Sequence, residues 1–173
     1  LVTTATGLVV SIPCVIFYSI FRGKVQKLIA ELEAAMTHIM ALLAPSEISY
    51  LRLQPHRWSA AYNNLGFRDR EASVRICPVS THNPQAIARQ FNFEVRSVDA
   101  AASPYLAYAA LVFAGMQGVI DRIEPPKPTE EDLSVLTKAE LAAKGIRRLP
   151  QTLEEALEKC DHSAAVRGWF GDA

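Results

Sequence analysis

This sequence has no excess of charge of either sign: eighteen Lys and Arg balance eighteen Asp and Glu in 173 residues. That balance removes the bulk electrostatic attraction on which a dedicated nucleic-acid binder relies, so no nucleic-acid partner is expected. Cysteine is scarce. Cys14, Cys77 and Cys160 are odd in number and widely spaced, which argues against a disulfide framework or a zinc knuckle and points to a reducing compartment. The four histidines, His38, His56, His82 and His162, show neither HExxH spacing nor an accompanying carboxylate pattern, so none is assigned to a metal. Internal repeats and low-complexity tracts are also missing. What remains, 50% apolar and 21% charged, suits a packed globular core.

Charge is missing locally as well. Leu1 to Phe21 carries no charged side chain. As a helix rising about 1.5 Å per residue it matches a hydrocarbon core of about 30 Å. Arg22, Lys24 and Lys27 follow at once, and the positive-inside bias then places the rest of the chain in the cytoplasm. A buried core helix is the alternative. From Lys24 the pattern turns amphipathic, with Val25, Leu28, Ile29, Leu32, Ala35 and Met36 at helical spacing. The stretch TTATGLVVSIPCVIFYSIFRGKV resembles the last membrane helix of the MotA/TolQ/ExbB proton-channel family, in which a threonine lines the proton pathway. Thr4 is at the position similar to it, although a threonine bonded to its own helix is the commoner occupant.

After about His38 the grammar changes. Pro45, Pro55 and the cluster Asn63, Asn64 and Gly66 punctuate short segments, while Ser73–Val79 and Phe91–Val98 carry strand-like content. Ser103 before Pro104 starts a helix whose apolar face is expected at Leu106, Ala109, Ala110, Phe113, Met116, Gln117 and Ile120, ended by Pro125, Pro126 and Pro128. Thr129 with Asp132 approximates a capping box, Gly145 sits where a helix cap belongs, and Thr152 with Glu155 opens a last helix to about Lys159. Two parts are therefore expected: residues 1–37, a membrane-like helix with a cytoplasmic extension, and residues 38–173.

Arginine is dense from Arg52 to Arg96: Arg52, Arg57, Arg68, Arg70, Arg75, Arg89 and Arg96. Guanidinium groups grip carboxylates and phosphates in fork geometry, so a convergent set suits a polyanionic substrate; a salt-bridged surface has the same composition. Arg75, Glu94 and Arg96 stand in apolar strand segments, where a charge is rarely left alone. Glu94 and Arg96, two apart, share one strand face, and a carboxylate there could hold a hard cation near a phosphate.

The segments APSEISYLRL, RDREASVRI, FNFEVRSVDAAASPYLAYAALVFAGMQGVIDRI and IRRLPQTLEEALE, in this order, resemble the carboxyl-terminal catalytic region of glutamine synthetase and its relatives. The resemblance implies an ATP-dependent ligase that phosphorylates the γ-carboxylate of glutamate and lets ammonia or a larger amine displace phosphate, with magnesium or manganese. By motif position it implies Arg52 as a glutamate contact, and Arg70, Arg75 and Arg89 as nucleotide contacts. Glu94 becomes a metal ligand, Arg96 a contact to the substrate or the transferred phosphoryl group, and Arg70 and Arg96 the catalytic pair. It also implies a homo-oligomeric ring.

Departures from the family pattern are specific. Where ammonia-using members carry a glutamate on a mobile flap, PHRWSAA has Trp58, which cannot act as a base and favours a larger amine or another carboxylate. Ile48 replaces an asparagine and Asn92 an arginine of the pattern. The fold class implied is α+β, with a few antiparallel strands bearing the arginines, several helices behind them, and a transmembrane-like helix in front. Because the chain starts at Leu1 and the strands that supply most metal ligands are missing, the sequence is expected to be a piece of something longer and inactive alone. Alternatives are a proton-channel subunit fragment and a chimera joined near Met36 to Ala41. A cytoplasmic location is expected for residues 38–173, with inner-membrane association if residues 1–21 insert.

Overall fold

The structure, a computed structural model, describes residues 2–124 and 126–170. Within the first helix it leaves out the side chains of residues 2–11, 14, 18, 31, 33 and 34, so the expectations placed on Leu1, Thr4, Cys14 and Pro125 lie outside the described residues.

Helix α1 (Val2–Leu43) runs through Pro13 without a break. Among the described residues no helix is long and apolar enough to cross a membrane, and the span expected over residues 1–21 falls largely outside them. Beyond Arg22, Lys24 and Lys27, from Ile29 onward, the apolar side chains of α1 go into the protein's own core. Met36, Ile39, Met40 and Leu43 are fully buried, packed with Tyr50, Leu53, Val74 and Leu149. The expected junction near Met36 to Ala41 thus falls inside this buried stretch.

Against α1 lies helix α4 (Pro104–Asp121), started by Ser103 and Pro104 as its sequence requires and stopped at Arg122, whose φ of 57° is left-handed. Its buried face differs from the expected one. Ala107, Ala110, Ala114, Gly115 and Gly118 face inward, while Leu106, Phe113, Met116 and Ile120 are exposed. Small side chains win the contact because they set how near two helix axes can come. A Cβ built on Gly115 would stand 2.7 Å from Leu28 Cγ.

Three short strands cover the other side of the core: β1 (Tyr62–Phe67), β2 (Ala72–Ile76) and β3 (Phe93–Val95), in that order. The sheet is mixed, not antiparallel as expected. β2 and β3 pair antiparallel, but β1 and β2 run parallel across the four-residue link 68–71. Strand β1 also overturns the reading of Asn63, Asn64 and Gly66 as punctuation. Their polar groups find partners across the chain: Asn63 Oδ1 accepts the Arg147 N–H at 2.6 Å, and Asn64 Nδ2 donates to Thr129 Oγ1 at 2.7 Å. At Gly66 the link folds back so closely that a Cβ would meet Ala72 Cβ at 2.5 Å.

Short helices fill the rest. Helix α2 (Glu47–Arg52) follows α1, and α3 (Pro84–Gln90) is capped by Asn83. Asp132 caps a single 3₁₀ turn at Leu133–Val135, a smaller element than the approximate capping box suggested. The reciprocal box lies five residues further on, between Thr137 and Glu140, opening α5 (Lys138–Ala143), with Gly145 at φ 73° behind it. Thr152 caps α6 (Leu153–Asp161), and α7 (Ala164–Phe170) closes the described chain. Cys77 and Cys160 are free thiols.

Candidate functional site

The antiparallel ladder sets Arg75 of β2 directly opposite Glu94 of β3, and the two side chains meet at 3.0 Å. Arg96 lies on the same face as Glu94 and reaches its other oxygen at 2.7 Å. One carboxylate is therefore bracketed by two guanidinium groups. Arg96 continues as a cross-tie, donating from Nε to the Arg70 carbonyl at 2.8 Å and from Nη2 to the Trp58 carbonyl at 3.0 Å. Cys77 Sγ also approaches Glu94, at 3.8 Å.

Arg75 has a buried donor to spare. Its side chain is 15% exposed, and its Nε finds no hydrogen-bond partner. A buried cationic donor without an acceptor is costly, so this atom is where an external anion gains most.

The structure gathers the candidate arginines unequally. At the end of α2, Arg52 donates to Ser59 Oγ at 2.7 Å and to the carbonyls of Arg96, Ser97 and Val98 at 3.3 Å. It clamps the exit of β3 to the loop that precedes β1. Arg70 lies 4.9 Å over the Trp58 ring and touches the cluster through its carbonyl. Arg89, in the last turn of α3, makes no ion pair or hydrogen bond among the described residues and stands apart.

Loop 53–60 is shaped by a residue that the sequence analysis missed. His56 and Trp58 both have left-handed backbones, with φ of 59° and 56°, each costing about 1 kcal/mol for a residue with a Cβ. Glu71 holds them: its two carboxylate oxygens accept the His56 N–H at 3.1 Å and the Trp58 N–H at 3.3 Å. The only signal available in the sequence was an acidic residue inside an arginine-dense segment. Trp58 itself is 65% exposed, above the loop.

Beside this loop lies a cavity of about 580 Å³ between β1, the 68–71 link and residues 130–134. Hydrogen bonds from the Ser134 hydroxyl and backbone hold the Asp132 carboxyl there below the ordinary carboxylate range.

The donor set does not fit a divalent metal. Among the described residues no group of three or more His, Cys, Asp or Glu could hold one, and both oxygens of Glu94 are occupied by guanidinium groups. The arginines do fit a phosphate or carboxylate, through the free Nε of Arg75 and the fork of Arg96.

Residues 23–173 match the family described as glutamine synthetase, catalytic domain, and residues 1–34 match the MotA/TolQ/ExbB proton channel family. The gamma-glutamylpolyamine synthetase of Streptomyces coelicolor is 38% identical over 133 residues, 77% of this chain and 28% of that protein. The glutamine synthetase of Thermotoga maritima is 35% identical over 140 residues, 79% of this chain and 30% of that protein. A solved structure described as a novel glutamine synthase homolog superposes with a TM-score of 0.68 at 36% identity, covering 85% of this chain and 30% of that one. The chain thus spans under a third of the length of these relatives.

Proposed function

Because this chain belongs to the family of glutamine synthetase catalytic domains, we propose that its arginine cluster is the anion-binding part of an ATP-dependent ligase that joins glutamate to an amine. The γ-phosphoryl group of ATP passes to the γ-carboxylate of glutamate; the amine then forms a C–N bond to the acyl carbon as the C–O bond to phosphate breaks, releasing phosphate and a proton. Phosphoryl transfer is promoted mainly by positioning and by positive charge around the moving group. Arg70 and Arg75 take the nucleotide phosphates, with Arg89, which stands apart on α3, reaching the nucleotide only if it comes to the cluster; Arg52 and Arg96 take glutamate, and Arg70 and Arg96 meet the developing charge. Glu94 bridges Arg75 and Arg96 in the ligand-free chain.

The observation that carries this proposal is the unpartnered Nε of Arg75 beside a carboxylate already shared by two arginines. Trp58, at the place of the family's flap glutamate, supports an amine larger than ammonia, since an indole supplies no base. The 65% exposure of Trp58 and its contact with Arg70 put an apolar surface next to the cluster. Calorimetric titration of the chain with ADP and with ATP, alongside Arg75→Lys, tests the proposal. Saturable binding weakened about tenfold by Arg75→Lys is the expected result, because lysine lacks the fork and the Nε donor. Equal binding by both proteins would remove the cluster from nucleotide recognition.

A further inference from the structure

Two pieces of chain meet beside the arginine cluster with unusual backbones. Among the described residues four non-glycine residues are left-handed, and three of them, His56, Trp58 and Arg68, lie in loop 53–60 and the 68–71 link. Strain of this kind persists only where surrounding contacts impose it, and it gathers at functional sites. Here the imposing contact is Glu71. Its carboxylate makes no ion pair among the described residues; both oxygens are spent on the His56 and Trp58 N–H groups, and its own N–H is fixed by Asp69 Oδ1 at 2.8 Å.

What the strain secures is a direction. With Trp58 held left-handed, its carbonyl meets Arg96 Nη2 at 3.0 Å and its ring lies under the Arg70 guanidinium, 4.9 Å away. Arg96 Nε in turn donates to the carbonyl of Arg70, the residue before Glu71, at 2.8 Å. The contacts close a ring: Glu71 to Trp58, Trp58 to Arg96, Arg96 to Arg70, and Arg70 by its peptide bond back to Glu71. Arg96, with 18% of its side chain exposed, thus has each nitrogen tied once, to Arg70, Glu94 and Trp58. A guanidinium carries five N–H groups, so one on each terminal nitrogen is left, in a fixed plane, for an anion. Fixing that plane beforehand lowers the ordering cost of binding.

We propose that Glu71 is a positioning residue of the anion site, aiming Arg96 through the Trp58 backbone without touching the ligand. This rests on the anion-binding reading of the cluster, and it fixes the sign of an effect. A carboxylate close to an anion site repels the anion through space, so its removal would tighten binding if charge were all it contributed. Positioning demands the reverse.

Glu71→Gln keeps the size of the side chain and loses its charge and one acceptor. Titrated calorimetrically with ATP, this variant should bind about threefold more weakly than the unsubstituted chain. In the ligand-free protein the Arg96 Nε–H, observed by nuclear magnetic resonance and assigned by its loss in Arg96→Lys, should exchange with solvent about threefold faster. Unchanged or tighter ATP binding by folded Glu71→Gln, or an unmoved Arg96 signal, overturns the proposal. If circular dichroism shows that Glu71→Gln does not fold, the same comparison is made on a His56→Gly background, since glycine takes a left-handed backbone without steric cost. Absence of ATP binding by the unsubstituted chain strikes the anion-binding reading instead, and the Arg96 signal then decides whether Glu71 positions that guanidinium.

Discussion

The β2–β3 edge and the cavity below β1 dispose of charge in opposite ways. At the first, one carboxylate, Glu94, is held between Arg75 and Arg96, with Arg52 and Arg70 bound in close by. At the second, five carboxylates share a wall with one guanidinium and one imidazole. Each region leaves a single buried polar atom unsatisfied, a donor on Arg75 and an acceptor on Asn64. A net charge of zero over the whole chain is therefore a sum of two segregated fields and carries no information about either.

The sharpest way to separate the two regions is Arg75→Ala. Nucleotide affinity should fall about 100-fold by calorimetry while the circular dichroism spectrum stays unchanged; an unchanged affinity would remove Arg75 from ligand binding. A pH series comes next in size. The Asp132 carboxyl, held low by hydrogen bonds from Ser134, caps the 3₁₀ turn throughout the range above the ordinary carboxylate values and lets go only as pH falls through its lowered value, which amide exchange at Ser134 across a pH series should show.

Glu71→Gln probes the residue that adjoins both regions. One of its two acceptors becomes a donor, so the His56 and Trp58 turns lose about 1 kcal/mol of support, and their amides should exchange with solvent about fivefold faster. The smallest effect is expected from Trp58→Ala. It removes the contact with Arg70, worth about 0.5–1 kcal/mol at an exposed site, and denaturant unfolding should detect little more than that.

Much of this was legible in the residues. The spacing of Glu94 and Arg96 placed both on one strand face, and the ion pair of 2.7 Å follows from it. Ser103–Pro104 and Thr152 marked helix starts where helices start. Harder to see were contacts that depend on distant chain. Asn63 and Asn64 read as a turn because their local chemistry is that of a turn; Arg147 and Thr129, 84 and 65 residues away, make them a strand. The buried face of α4 was misplaced because periodicity counts apolar bulk, whereas a close helix pair selects for its absence, as at Gly115. Arg52 was identified by type and position, but its hydrogen bonds to three backbone carbonyls depend on where β3 ends, which no local pattern encodes.

The two tryptophans occupy opposite environments. Trp58 stands in solvent with the Arg70 guanidinium over its ring, whereas Trp169 is half-buried and stacked on Phe113, with centroids 6.2 Å apart. Their emission should separate into a long-wavelength component from the loop and a shorter-wavelength one from the helical side. The protein thereby carries an intrinsic optical reporter of loop 53–60, so ligand arrival at the arginine cluster can be followed in real time without a label.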